Sequence, residues 1–446
     1  MRYTVNDIAE ITNGEAYGEN AVVTGITKDS RTVNKGDLFV AISGERFDAH
    51  DFVAQTAQAG AAAALVERKL DADMPQIVVK STRTALGDLA RAHCAKFDIP
   101  KTAVTGSVGK TTTRDLIASV LTAHYGSEHV LKTQGNFNND IGLPFTVLGL
   151  EEKHKAAVIE MGMNHFGEIS YLTNIVHPDI AVITNAGTAH IENLGSREGI
   201  LKAKCEIFEG LKSNGLKILN LDNDMLATVK AENVCFYSIS DPKADIYASD
   251  MVSKGLKGTE FTINTPKGSF KAKTLLPGEH IVSNALAAAA VGYGLGINFD
   301  EIAAGIRDFV PTSGRMDIID TPKYTVINGA YNANPDSMRA SIEVLKQADT
   351  YKCAILGDMF ELGDYAADMH KKVGEEAAEL DMVIAIGELS RNIYEAAGKN
   401  ALYFASLDEF FAAFDKKELI PAGASVLVKA SHSMHFEKIV EKLEEK

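Results

Sequence analysis

The chain has 446 residues, 46% hydrophobic and 24% charged, the balance of a folded multidomain protein rather than a disordered one. Its 45 Lys+Arg against 60 Asp+Glu leave a net charge of −15, which argues against a non-specific nucleic-acid binder or a protein held on anionic membranes, because both need positive surface. Four scattered cysteines (Cys94, Cys205, Cys235, Cys353) with no Cys-x-x-Cys exclude a disulfide framework or zinc knuckle, and no signal-peptide core or span of ~20 apolar residues stands out, so a cytoplasmic protein without membrane insertion is expected.

Residues 1–98 predict a small α/β domain, with short strands at 37–42 and 76–79 and an Ala-rich amphipathic stretch over 51–63. From about 99 the pattern changes to strand–loop–helix units. Apolar runs at 102–105, 156–160, 180–184 and 216–220, bounded by turn residues, predict a parallel sheet with crossover helices. Alternation near 259–264 predicts an antiparallel edge, and a helix follows over 283–294. The turn-rich 311–314 closes this zone. A second βα series has strands at 325–328, 353–356, 382–386 and 425–429, and the Glu/Lys-rich 437–446 reads as a solvated helix end. The expected fold is α/β in three domains. A small N-terminal domain (1–98) precedes a central P-loop, ATPase-like parallel-sheet domain (99–312) and a C-terminal Rossmann-like domain (313–446).

The sharpest motif is Thr105-Gly-Ser-Val-Gly-Lys-Thr-Thr-Thr113, which follows an apolar strand and opens a helix. Glycines at 106 and 109 let the backbone bend so that the N–H groups of this loop face an anion, to which the helix N-terminus adds its dipole. Lys110 then reaches terminal phosphates and the Thr111 hydroxyl suits Mg²⁺. The strict pattern fails at one place, where Val104 holds the first glycine position. A nucleoside triphosphate is the expected ligand.

Glu160 ends one apolar strand and His190 follows the next, so a hard carboxylate and an imidazole stand where open α/β sheets bind ligands. Each alone is also readable as a helix cap or a satisfied loop histidine. Lys202 and Lys204 lie on a helix starting near Ser196, and by charge pattern alone they read as a solvated face.

With these motifs in hand, the whole chain resembles the Mur ligases. Asp29-Ser-Arg31, 36–41 and 44–52 are similar to their uridine-nucleotide-binding domain. The loop 105–113, with 135–144, 160–165 and 185–196, resembles their central motifs; Tyr331-Asn-Ala-Asn-Pro335 and 356–363 resemble their C-terminal signatures. Asn-Phe-Asn-Asn139 and Tyr-Asn-Ala-Asn-Pro335 favour the branch that joins D-alanyl-D-alanine to UDP-N-acetylmuramoyl-tripeptide with ATP and Mg²⁺. Alternatives are a sister amino-acid ligase, a folylpolyglutamate synthase, or a nucleotide-binding paralogue with weakened catalysis.

The resemblance implies roles residue by residue. Lys110, Glu160, His190 and Lys204 would be catalytic. Gly106, Ser107, Val108, Gly109, Lys110, Thr111, Thr112, Asn284, Arg315, Asn332 and Asn334 would bind ATP. Ser30, Arg31, Gly44, Asn136, Asn138 and Asn139 would bind the UDP substrate, although Ser30 and Arg31 also suit a polar turn. Thr111, Glu160, His190 and a carbamylated Lys204 would hold Mg²⁺, with Lys202 as the other candidate for the carbamate. The family also implies a monomer.

Four positions depart from the family pattern. Ile281 replaces an amide expected near adenine, Asn328-Gly329-Ala330 lacks a carboxylate suited to ribose, Ala430 replaces a glycine, and His432 replaces an arginine. Ala430 would forbid an easy left-handed backbone, and His432 supplies a largely neutral group where a forked cation is usual. Weaker ATP affinity with an intact chemical core is the expectation. Whether the third residue of the acceptor peptide is lysine or diaminopimelate is not legible in the chain.

Overall fold

The computed structural model describes residues 1–44, 47–416 and 418–445. The chain divides into two compact units. One comprises Met1–Ala103, Tyr125–Ala181 and Glu206–Gly215; the other comprises Val104–His124, Val182–Cys205 and Leu216–Lys446. The boundary passes through the strands Lys101–Thr105 and Ile180–Ile183.

The first unit is built on a five-stranded sheet in the order Glu15–Tyr17, Gln76–Val78, Ala63–Val66, Asp37–Val40, Gly25–Thr27. It is parallel except for the first pair. Phe39, Ala41, Ala64 and Val66 alternate onto one face and are buried with Ala49 and Val53 from the helical segment, as the period of two requires. That segment is not continuous over 51–63. A 3₁₀ turn, Ala49–Phe52, leads into the helix Val53–Ala59, and Gly60 stops it at φ +100°, a conformation that glycine adopts without strain. Ala63 already belongs to the next strand. This unit also holds the parallel pair Val130–Lys132 and Ala156–Glu160, the second of which carries Glu160 at its carboxyl end.

The second unit holds the P-loop helix Lys110–Tyr125 up to His124 and the parallel strands Leu216–Asn220, Val234–Ser238 and Ile246–Ser253. The expected antiparallel edge is present as Thr259–Thr265 against Gly268–Thr274. The helix Glu279–Gly294 starts four residues before its expected position, after Gly278 at φ +104°, and its Ala-rich middle is buried all round.

The C-terminal part of this unit is a six-stranded sheet in the order Asp317–Asp320, Thr325–Asn328, Ser425–Lys429, Lys352–Gly357, Met382–Ile386, Ala401–Phe404. Only the first strand is antiparallel. Its continuous apolar strands are buried on both faces. Ile327, Ala354, Leu356 and Leu427 enter one core, while Val326, Ile355, Val426 and Val428 enter the other. The terminal helix, Glu437–Glu444, is not merely solvated: Ile439, Val440 and Leu443 recur at helical spacing and pack into the second core. Lys446, at the end of the expected tail, lies outside the described residues. No helix among the described residues is long and apolar enough to cross a membrane.

Candidate active site

The nucleotide loop forms in the second unit, where the strand ending at Thr105 meets the helix opening at Lys110. Glycine at 106 is required by crowding, since a Cβ there would sit 1.9 Å from Thr184 Oγ1; Gly109 is required by its φ of +78°. Ser107 N–H and Val108 N–H donate to Asn185 Oδ1 at 3.0 and 2.9 Å, and Asn185 Nδ2 donates back to Val108 O at 3.1 Å. Two of the expected anion donors are therefore held by a carboxamide. Lys110 Nζ donates to the Gly106 and Ser107 carbonyls at 2.8 and 3.3 Å. Thr111 is buried, Thr112 half-buried, and Asn284 supports the loop from behind by accepting from Thr113 Oγ1 at 3.1 Å. Val104 is a fully buried core residue of the strand.

Asn185 opens the family-like stretch 185–196, but the sequence assigns it no role of its own. Its signal was its place at the end of an apolar strand, ahead of Gly187, where Ser107 Oγ accepts from Gly187 N–H at 3.0 Å.

The two candidate lysines separate by burial. Lys202 is exposed, whereas Lys204, on the helix Arg197–Cys205, is 1% exposed. Burial, aided by the charge of Lys110, holds the Lys204 amine well below its ordinary pKa. An amine kept neutral in this way is the nucleophilic form that captures CO₂. His190 sits before the short helix Ile191–Leu194 at φ +62°, with Nδ1 3.1 Å from Glu361 Oε2. That distance is within ion-pair reach, and among the described residues the buried Nδ1 has no hydrogen-bond partner.

Arg315 lies with its guanidinium carbon 4.0 Å over the Tyr331 ring, and its buried Nε has no hydrogen-bond partner among the described residues. Lys429 is buried and donates to the Asn332 and Gly329 carbonyls at 2.9 and 3.4 Å; burial, with Arg315 as a second cause, pushes its amine down to about 7. Asn332 uses its own Oδ1 for Ala333 N–H, and Asn334 caps the helix Pro335–Lys346 by accepting from Ser337 N–H at 2.9 Å.

The four departures are accommodated. Ile281 is buried in its helix. Asn328 donates to Asp317 Oδ2 at 3.2 Å, so a carboxylate stands next to this motif on the neighbouring strand. Ala430 needs no left-handed backbone, and it is fully buried against Gly357, where a Cβ would come within 2.7 Å of it. His432 stacks, tilted, on Tyr331 at 5.5 Å.

In the first unit, Glu160 is 2% exposed, and its Oε1 accepts from Asn138 Nδ2 at 2.8 Å. Asn139 Oδ1 accepts from Gly142 N–H at 2.8 Å and starts the next helix, while Asn136 is exposed. A cavity of about 550 Å³ is lined by Ser30, Arg31 and Gly44, with Phe47, Phe52 and Arg83. Arg31 forks onto Asp29 at 2.6 and 2.8 Å in an exposed turn, and its guanidinium holds the Asp29 carboxyl down at about 2. Glu45 and Arg46, part of the motif read from sequence, lie outside the described residues.

Comparison with known proteins places these features in a family. The Mur ligase family catalytic-domain model matches residues 22–94, the Mur ligase middle-domain model 104–292, and the Mur ligase glutamate-ligase-domain model 314–432. The chain is 39% identical to the UDP-N-acetylmuramoyl-tripeptide–D-alanyl-D-alanine ligase of Escherichia coli, covering 99% of this chain and 98% of that one, and equally identical, at the same coverage, to its counterpart in Bacillus subtilis. Among solved structures it is similar to MurF from Acinetobacter baumannii (TM-score 0.93, 34% identity, 100% and 99% coverage). It is also similar to MurF from Thermotoga maritima in complex with ADP (TM-score 0.85, 30% identity, 95% and 97% coverage). With all three models matched in order and relatives aligned over nearly their whole length, this chain belongs to the Mur ligase family.

Proposed function

We propose that this protein joins D-alanyl-D-alanine to UDP-N-acetylmuramoyl-tripeptide, with ATP converted to ADP and phosphate, in the synthesis of peptidoglycan precursors. The substrates follow from the relatives of matching length. The structural observation that carries the chemistry is the burial of Lys204, 1% exposed on the helix Arg197–Cys205, where desolvation holds its amine well below the ordinary lysine range and so favours the form that captures CO₂. We assign residues 1–98 to the UDP substrate, 99–312 to ATP, and 313–446 to ATP and the dipeptide.

A carboxylate is a poor acyl donor. The γ-phosphoryl group passes to the tripeptide carboxylate, forming an O–P bond as the bond to the ADP oxygen breaks. The amine of the dipeptide then attacks the acyl carbon, and the tetrahedral adduct expels phosphate and leaves the amide. Lys110 and Arg315 counter the charge on the transferring group, and the P-loop backbone holds the phosphates in line. Ser30, Arg31, Gly44, Asn136 and Asn139 take the UDP substrate, and Asn284, Asn332 and Asn334 shape the nucleotide site.

Among the described residues, no three His, Cys, Asp or Glu side chains cluster as a ready cation site. The donor set nevertheless fits Mg²⁺, which keeps few protein ligands and completes its shell with phosphate oxygens. Thr111, Glu160, His190 and a carbamylated Lys204 would hold it. When bound, the ion neutralises phosphate charge. ATP and a UDP-linked precursor also suit a cytoplasmic enzyme, and the family resemblance suits a monomer.

The test is phosphate release from ATP with the UDP-tripeptide, D-alanyl-D-alanine, both, or neither. Release that needs both, with the UDP-pentapeptide as product, is expected. Silence in all four with ADP still bound overturns the proposal in favour of a non-catalytic paralogue, and release with a different amino acid in favour of a sister ligase.

A further inference from the structure

Two loops from distant parts of the second unit meet at His190 and Glu361. His190 follows an apolar strand of the middle segment, while Glu361 belongs to 356–363 in the second βα series, 171 residues later. Both hold the left-handed backbone at φ +62°, although neither is glycine. Such a conformation costs of order 1 kcal/mol for each residue and persists only where the surroundings impose it. The contact is wider than one pair: a Cβ on Gly363 would come within 3.4 Å of the Glu192 side chain. At its centre, Glu361 Oε2 lies 3.1 Å from the buried Nδ1 of His190, its one ion-pair partner among the described residues.

We propose that Glu361 is a positioning residue that fixes the tautomer and orientation of the His190 imidazole. A neutral imidazole carries one proton. A carboxylate facing Nδ1 favours Nδ1–H, and the lone pair is then on Nε2, the form in which imidazole serves as a ligand. Glutamine in place of Glu361 keeps a neutral acceptor, and glycine keeps the backbone without one. This inference rests on the reading of His190 as a ligand of the nucleotide-bound ion. It adds that this ligand is set by a carboxylate from the C-terminal segment, so the C-terminal series contributes to the ion site without touching the ion.

The experiment uses the full chain with ADP and Mn²⁺ as the probe. Free Mn²⁺ is followed by electron paramagnetic resonance, and the His190 tautomer by ¹⁵N NMR of metal-free protein, in the wild type, Glu361→Gln, Glu361→Gly and His190→Ala. Glu361→Gly is expected to move His190 toward the Nε2–H tautomer and to weaken Mn²⁺ binding about tenfold, with metal-free ADP affinity unchanged and a smaller loss in Glu361→Gln. Should Glu361→Gly not fold, the tautomer shift in Glu361→Gln decides. Unchanged tautomer and Mn²⁺ affinity in the Glu361 variants, with a loss in His190→Ala, overturn the positioning role and leave the ligand reading standing. No loss in His190→Ala overturns both.

Discussion

Asn185 grips the nucleotide loop at Val108 from both sides: its Oδ1 accepts from Val108 N–H at 2.9 Å, and its Nδ2 donates to Val108 O at 3.1 Å. The same Oδ1 holds Ser107 N–H. One carboxamide thus holds both N–H groups of this bend and shares the Val108 carbonyl with the Thr184 hydroxyl. Asn185→Asp would keep both acceptor bonds, strengthen them with a charge, and lose the donor to Val108 O. A fixed anion against a phosphate loop repels its ligand, so ADP affinity measured by calorimetry should fall at least about tenfold, a loss of roughly 1.4 kcal/mol. Unchanged affinity would show that the loop does not bind phosphate in this form.

Lys204 is expected to be 44 Da heavier under native CO₂, because the neutral amine adds CO₂ and loses a proton to give an N-carboxylate, and native mass spectrometry reads the added mass (about that of CO₂, the chemistry being favoured by the depressed pKa). Lys204→Ala should lose most activity and regain part of it with short carboxylates such as formate. Near-normal activity without rescue would remove the role.

Lys429 makes a pH prediction. Its folded amine titrates near 7, whereas an unfolded lysine titrates near 10.4, so between these values the unfolded chain binds more protons. Stability contributed at this site therefore rises with pH through that window, by up to about 1.4 kcal/mol per pH unit, and is lost as pH falls toward 7. Denaturant unfolding of wild type and Lys429→Met at pH 7, 8, 9 and 10 should show the variant gaining relative stability as pH falls. A constant difference would mean that Lys429 stays charged in the fold.

Asn138 touches the Glu160 carboxylate, so its substitution should be felt at the ion rather than in the UDP pocket. Asn138→Ala should raise the Mg²⁺ concentration needed for half-maximal activity about tenfold while the KM for the UDP-tripeptide moves little. A change confined to that KM would return Asn138 to the UDP site.

Phe47 and Phe52 stand edge to face at 6.3 Å beside the cavity that holds Ser30 and Arg31, and both rings are exposed. An exposed ring at a cavity mouth is a stacking platform for a flat base, worth roughly 1–3 kcal/mol per base. Phe47→Ala is expected to raise the KM for the UDP-tripeptide tenfold or more with kcat little changed; an unchanged KM would place the uracil elsewhere.

Much of this protein was legible in its sequence. Short apolar runs bounded by turn residues marked which segments are strands, and the glycines of the loop marked where the phosphate site opens, because both depend on local chain geometry. Lys110 and His190 were singled out because they follow a strand, and Glu160 because it ends one. The tertiary structure decided what depends on neighbours distant in the chain. Charge pattern could not separate Lys202 from Lys204, since only burial depresses the pKa of one amine. The helix at the C-terminus read as solvated until its apolar stripe found a core. Ala430 was read as a backbone problem, yet the chain there is not left-handed and its methyl packs on Gly357. Asn185 on Val108 and Glu361 beside His190 were invisible for the same reason. A side chain's partner is set by packing between elements, and no local pattern encodes which loops will meet.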